Sequence, residues 1–415
     1  MTFDHALILL VVAATLSLIL IRPRGISEAW IAAGGALAML VVSPLALGDL
    51  PDVLDEIQDV LLFLLGMMVL THLAEHARVF EYLAESCARM ARGNGIVLFC
   101  NIFFLGAIIT ALLSLDVTVI MLTPIVYTVA IRRRLDAIPF LFACTFVANT
   151  ASLVLPISNL TNLLVYHRLE IGFGEFAATM WLPNLAAAIV NLAIFLVLFR
   201  HRLPRRFDLT SNDPLTIVDW WFVTASVVLA ATLIALLALG LSEQPLAPGA
   251  LGGGAILLAI GLVSKRVEPP QVLREISWPV FVFVVGMFLV VRGIELGVLA
   301  DWSFTVSDNP TNALFIGSIA SALGSNIVNN VPMTLLMMSI FDRTNGPARE
   351  AFAYGTLVGS NIGPTLTTYG SLATMLWLTV IRKRGIVIST RDYLTVGLIT
   401  MPPVLIAATV SLWLV

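Results

Sequence analysis

Charge is what this sequence has least of. Only 12% of its 415 residues are Asp, Glu, Lys or Arg, against about 25% in a soluble globular domain. Hydrophobic residues make up 59% and mean hydropathy is +0.97. So few charges cannot cover a water-facing surface. Cysteine is scarce as well: Cys87, Cys100 and Cys144 show neither a CxxC pair nor Cys/His metal spacing, so a disulfide scaffold and a structural zinc site are both excluded. No HExxH pair occurs, and no Walker lysine follows Gly252–Gly254. The chain carries no enzyme signature and calls for no cofactor. Basic residues sit in short loops beside apolar runs, a distribution that argues against nucleic acid as a partner. Residues 1–5 include Asp4 but no Lys or Arg, so the first apolar run reads as a retained helix rather than a secretory signal.

What the chain does have is a series of apolar runs of about 16–24 residues, long enough to cross roughly 30 Å of hydrocarbon. The lipid bilayer is therefore its first partner. Two regions, 96–131 and 312–341, fold back on themselves around Leu115-Asp116 and Asn326–Pro332, and read as re-entrant hairpins of two half-helices. Two more, 138–166 and 351–381, are long but interrupted by Pro, Gly, Ser and Asn, and read as broken helices. Irregular backbone at membrane depth survives only where protein or a cavity surrounds it.

Charge tests this reading. With both hairpins entering and leaving on one side, ten crossings remain. All but four of the 23 basic residues then fall on one face; Arg168, Arg292, Arg343 and Arg349 share the other with Asp49, Asp52, Asp55 and Glu56. The positive-inside rule makes the basic face cytoplasmic and puts both termini on the external, periplasmic side of a cell (inner) membrane.

The layout also repeats. LLFLLGM (61–67) matches FVFVVGM (281–287), an offset of 220 that also pairs Glu75 with Glu295. Leu115-Asp116 pairs with Asn329-Asn330 at 214, and NTASLVLPISNLTN (149–162) with NIGPTLTTYGSLAT (361–374) at 212. Five crossings per copy is an odd number, so the second copy is inverted. The expected architecture is an all-α integral membrane protein with two inverted-topology repeats, ten transmembrane helices, two re-entrant hairpins and one broken helix per repeat. Residues 1–200 form the first repeat, 201–216 a cytoplasmic linker and 217–415 the second. Paired broken helices in inverted repeats point to an alternating-access transporter.

Three groups of residues could carry function. Asp116 is the one acid well inside an apolar stretch, where a carboxylate costs about 2.5–3.5 kcal/mol. It reads as a proton or cation carrier, or as a helix cap bonding the amide of Val117 or Thr118. The breaks collect Asn149, Thr150, Ser152, Ser158, Asn159 and Asn162 in one repeat, and Ser360, Asn361, Thr365, Thr367, Thr368 and Ser371 in the other. These groups either bind a polar solute or satisfy the broken backbone. Asn326, Asn329 and Asn330 at the second hairpin tip could coordinate a hydroxylated solute or shape the turn. His72, Glu75, Arg292 and Glu295 read as interfacial.

At GSLATMLWL (370–378), NTASLVLPISNLTN, NNVP (329–332), Asp116 followed by LTPIV (122–126), RPRGI (22–26) and TMPPVL (400–405), the chain resembles the arsenite efflux permeases of the ion transporter superfamily. The resemblance implies export of arsenite and antimonite in exchange for protons, and that some members accept a cytoplasmic ATPase subunit. Charges that many relatives carry are replaced here by Asn149, Asn361 and Thr365, which leaves Asp116 as the main proton candidate. A sodium/proton antiporter or a silicic acid exporter of the same superfamily fits the same architecture; a channel would differ in showing no coupling. Arsenite at neutral pH is mainly an uncharged trihydroxide, so Asn, Ser and Thr suit it better than an arginine clamp. The scattered cysteines argue against thiolate chelation.

Overall fold

Every regular element among the described residues is helical. The computed structural model describes residues 3–21, 23–207, 218–299, 306–341, 344 and 346–415. Arg22, Arg343 and residues 208–216 of the expected linker lie outside that set.

In the first repeat the helices are α1 (Phe3–Ile21), α2 (Glu28–Val42), α3 (Leu50–His76), α4 (Val79–Met90), α5 (Gly95–Leu112), α6 (Leu115–Val117), α7 (Thr123–Arg132), α8 (Ala137–Thr150), α9 (Leu160–Leu169) and α10 (Phe173–Leu198). The second repeat holds α11 (Trp220–Leu241), α12 (Ala247–Val263), α13 (Pro269–Glu275), α14 (Trp278–Gly297), α15 (Pro310–Val328), α16 (Asn330–Phe341), α17 (Pro347–Ile362), α18 (Leu372–Lys383) and α19 (Thr390–Trp413). Eight helical segments of the described chain are long and apolar enough to cross a membrane, and five shorter apolar helices accompany them. The protein is a multi-pass membrane protein.

The two repeats exchange partners symmetrically. Helix α3 packs on α12 and α14 on α2. A Cβ on Gly66 would stand 2.4 Å from the Ala250 backbone, and one on Gly286 would stand 2.8 Å from the Ala32 backbone. Both glycines exist to let main chains approach, the small-residue packing that membrane helices use where lipid supplies no hydrophobic driving force. Helices α10 and α19 pack against each other across the same pseudo-two-fold relation, and each contains proline: Pro183 in one, Pro402 and Pro403 in the other.

The polar contacts sort into two ends. At one, Arg133 pairs with Glu85 at 2.5 Å, Gly95 N donates to Pro204 O at 3.0 Å, Phe207 N to Gly93 O at 2.7 Å, and Arg266 pairs with Asp219 at 3.0 Å. At the other, Arg168 pairs with Glu56, His167 with Asp59 at 3.0 Å, Arg292 with Glu295 at 3.0 Å, and Arg349 donates to Arg168 O at 3.4 Å. Gly95 opens α5 and Arg133 closes α7, and both belong to the first network. The segment between them therefore goes in and comes back, as a hairpin must.

Two differences from the sequence reading stand out. The arm α5 spans 18 residues and α15 spans 19, so these are nearly full-length helices rather than half-helices, continuous because no Pro interrupts either arm after its first turn. The sequence reading gives no helix at α4 or α13; Val79, Phe80, Ala84 and Ala88 form the buried stripe of α4 together with Glu85, whose charge is met by Arg133, while Arg89 faces outward.

Candidate substrate and proton site

The first hairpin turns at Leu113-Ser114. Ser114 Oγ accepts from Val117 N at 3.4 Å and so caps α6. The cap role weighed for Asp116 thus belongs to its neighbour, and among the described residues no donor is bonded to the Asp116 carboxylate. After the tip, residues Thr118–Leu122 wind as a π-turn into α7. Pro124 explains it: proline lacks the N–H that Ile120 O would accept, and its ring would crowd that carbonyl. Thr110 and Thr118 hydroxyls at 2.7 Å lace the two arms together.

Each break is built by the same device in both repeats. Helix α8 stops at Thr150 and α17 at Ile362; after a 3-10 turn the chain resumes as α9 and α18. Asn159 caps α9 by accepting from Thr161 N at 3.3 Å, and Ser371 caps α18 by accepting from Thr374 N at 3.1 Å. The residues are 212 apart, the offset of the repeat. Both broken helices are enclosed: every residue from Pro139 to Thr150 and from Phe352 to Thr365 is buried. Bilayer lipid does not reach the freed backbone there.

Asn361 ties the repeats together. Its Oδ1 accepts from Ser152 Oγ at 2.7 Å and from Asn159 Nδ2 at 2.5 Å. Its Nδ2 donates to Asn162 Oδ1 at 3.0 Å and to Leu357 O at 2.8 Å. Asn162 in turn donates to Ser152 O and Leu155 O, filling carbonyls left open by the break. At the second hairpin tip Asn329 adopts φ +77° with ψ 156°, a strained backbone conformation that glycine alone adopts readily. Its Nδ2 donates to Tyr369 O at 3.1 Å, and Asn330 N donates to Gly370 O at 2.9 Å. Asn326 donates to Gly363 O and accepts from Thr367 Oγ1. This hairpin is therefore clasped to its own repeat's break. Ser158 Oγ does the same for the first hairpin by donating to Ala111 O at 2.7 Å.

Between the first hairpin tip, the first break, α3 and α18 lies a cavity of about 260 Å³. Ser114, Asp116 and Asn159 face it, with Thr71, His72 and Thr379 as further polar groups and Met67, Met68 and Met121 as sulfur-bearing ones. Glu275, Ser277 and Lys383 also line it. They belong to the loops that carry Arg274, Arg382 and Arg384, so the cavity opens on the basic end. Its volume is close to the lower end, about 300 Å³, of small-molecule sites.

Of the sequence-predicted site residues, Asp116 and Asn159 line this cavity. Ser152 and Asn361 stand directly behind Asn159 in the inter-repeat knot. Asn149, Thr150, Ser158, Ser360 and Thr365 bond mainly to backbone within or beside their own helices. Asn326, Asn329 and Asn330 lie at the second tip, outside this cavity's lining. Buried Asn149 Oδ1 and Asn330 Oδ1 have no hydrogen-bond partner among the described residues. The cysteines are free thiols and none lines the cavity. Sequence reasoning reads His72 as interfacial and does not single out the methionines. It also missed the contact of α15 with α17, where a Cβ on Gly359 would stand 2.2 Å from Ser318 O; the spacing Gly355, Gly359, Gly363 was its available signal.

Paired breaks, clasped hairpins and a cavity at their meeting point define a membrane transporter of inverted-repeat construction. Over 88% of its length the chain superimposes on 87% of the Alcanivorax borkumensis YdaH transporter with a TM-score of 0.60, at 16% identity, which establishes a shared fold. Residues 7–415 match the family described as arsenical pump membrane protein. The arsenical pump membrane protein of Escherichia coli (strain K12) is 30% identical, with 96% of each chain covered, and that of Yersinia enterocolitica is 31% identical with the same coverage. A putative arsenical pump membrane protein of Bacillus subtilis is 26% identical over 94% of each. The chain belongs to the arsenical pump membrane protein family.

Proposed function

We propose that this protein exports arsenite and antimonite from the cytoplasm in exchange for protons, with residues 1–200 and 217–415 as the two repeats and 201–216 as a cytoplasmic linker. The observation that carries the reading is the Asp116 carboxylate, uncapped and facing a small cavity beside neutral hydroxyl and amide groups. A neutral trihydroxide needs donors and acceptors without net charge, which Ser114, Asn159, Thr71 and Thr379 offer. Soft thioethers from Met67, Met68 and Met121 suit a trivalent metalloid better than sodium or silicic acid. The cavity opens at the basic end, which the positive-inside rule makes cytoplasmic; this conformation thus faces inward, with termini outside. Asp116 takes a proton from outside and releases it inside. A neutral solute draws nothing from voltage, so the proton supplies about 2.3 kcal/mol per 100 mV.

Proteoliposomes with an imposed pH gradient test this. Arsenite flux should follow the gradient and Asp116→Asn should abolish coupled flux. Absent arsenite movement, or an Asp116→Asn variant that behaves like the parent, overturns the reading; sodium-dependent proton flux would point to the antiporter alternative instead.

A further inference from the structure

The open cavity has a counterpart at the other end of the molecule. Its walls come from Met68, Thr71 and His72 of α3, Met121 of the first hairpin, and Leu376 and Thr379 of α18. Adding the repeat offset of 220 to the α3 residues gives Phe288, Val291 and Arg292. Adding 214 to Met121 gives Leu335. Subtracting 212 from the α18 residues gives Leu164 and His167. These six residues line two adjoining pockets at the end carrying Arg168 and Glu56. One holds about 220 Å³ and the other about 10 Å³. Ser277 at the inner mouth has its partner too, since Ile57, 220 residues before it, borders the outer pocket.

What differs between the two ends is how they are fastened. Across the outer pocket Arg168 of α9 pairs with Glu56 of α3, side chains 27% and 32% exposed, and Arg349 donates to Arg168 O. Beside it Glu295 of α14 accepts from Arg292 at 3.0 Å and from Ser339 Oγ of α16 at 2.8 Å, joining α14 to the second hairpin. The equivalent inner pair is looser: His72 Nδ1 stands 3.7 Å from Glu75, beyond hydrogen-bond distance.

We propose that the outer pocket is the exit end of the transport path, and that Glu56–Arg168 together with Arg292–Glu295–Ser339 is the latch that holds it shut. Inverted repeats reach the opposite-facing state by exchanging conformations. The outward state then opens between α14, the second hairpin and α9, with Asn330, the 214-offset counterpart of Asp116, on the hairpin beside the opening. Opening costs the latch contacts, so weakening them shifts the population outward. The inference requires an alternating-access carrier but not any particular solute.

Thiol accessibility reads this without transport. In a background with the three native cysteines replaced by serine, Met338→Cys reports the outer pocket and Met121→Cys the inner cavity. A membrane-impermeant maleimide is applied from each side in turn. Glu56→Gln should raise external labelling of the Met338→Cys reporter about fivefold, the shift expected for an ion pair at the upper end of partly exposed strengths, and slow internal labelling of the Met121→Cys reporter. Exchanging the charges, Glu56→Arg with Arg168→Glu, should restore both rates. Unchanged labelling overturns the latch, and so does a rise at both reporters, which marks general loosening. Arsenite transport failing while these rates respond as stated would overturn the substrate and leave the latch standing.

Discussion

Replacing Asn361 by alanine should loosen the union of the two repeats. The side chain is fully buried and makes three close hydrogen bonds to the opposite repeat, to Ser152, Asn159 and Asn162. Interhelical hydrogen bonds in membranes average about 0.6 kcal/mol each and reach about 1.7. Three of them give about 2 kcal/mol, with about 5 as the ceiling. The upper part of that range is favoured because Asn162 and Asn159 also hold the break and the α9 cap, so their displacement frees carbonyls that have no water to turn to. Asn361→Asp is a sharper variant: it keeps both accepted bonds but turns the donor facing Asn162 Oδ1 and Leu357 O into an acceptor. Unfolding in mixed micelles, followed by tryptophan fluorescence, should show both variants destabilised. A double-mutant cycle of Asn361→Ala with Asn159→Ala should give a coupling of about 1 kcal/mol. Loss of less than about 0.5 kcal/mol in Asn361→Ala, with no coupling, would refute the knot as the joint between the repeats.

Two further substitutions probe the hairpins. Gly359→Ala places a methyl against Ser318 O in a contact of main chains, and should cost about 1–3 kcal/mol, read as a lowered midpoint in the same unfolding assay. Ser114→Ala removes the α6 cap, whose 3.4 Å bond is long; a loss near the lower limit for caps, about 0.5 kcal/mol, is expected, with arsenite affinity falling more than stability because Ser114 also faces the cavity.

Much of this arrangement could be read from residue order because it is written in local terms. Charge placement separates the two ends, and the structure gathers Arg133, Arg202 and Arg266 at one and Arg168, Arg292 and Arg349 at the other. The repeat offset found from Met67 and Met287 also pairs the close approaches at Gly66 and Gly286. The breaks at Pro156 and Gly363-Pro364 fall where backbone chemistry requires them. What could not be read is partnership across about 200 residues. Nothing near Asn361 says that Asn159 and Ser152 will stand beside it, and nothing in a stretch of α3 says that Met67, Met68 and His72 will face a cavity rather than lipid. His72 reads as interfacial from the sequence, and the structure adds that it lines the cavity. Asn, Ser and Thr at a break have two uses, and only geometry shows that Asn162, Asn326 and Ser158 serve the backbone while Asn159 also meets the cavity.

The central claim is that a proton passing through Asp116 drives a neutral solute the other way, and the balance point of transport addresses it most directly. In proteoliposomes loaded with arsenite, membrane potential is varied at fixed pH difference until net arsenite flux vanishes. One charge crossing per arsenite predicts that each additional 60 mV or so sustains about a tenfold larger arsenite gradient, since about 1.4 kcal/mol is supplied; a pH difference of one unit should do the same. A balance point that ignores both voltage and pH, with arsenite settling at equal concentration on the two sides, would contradict the account.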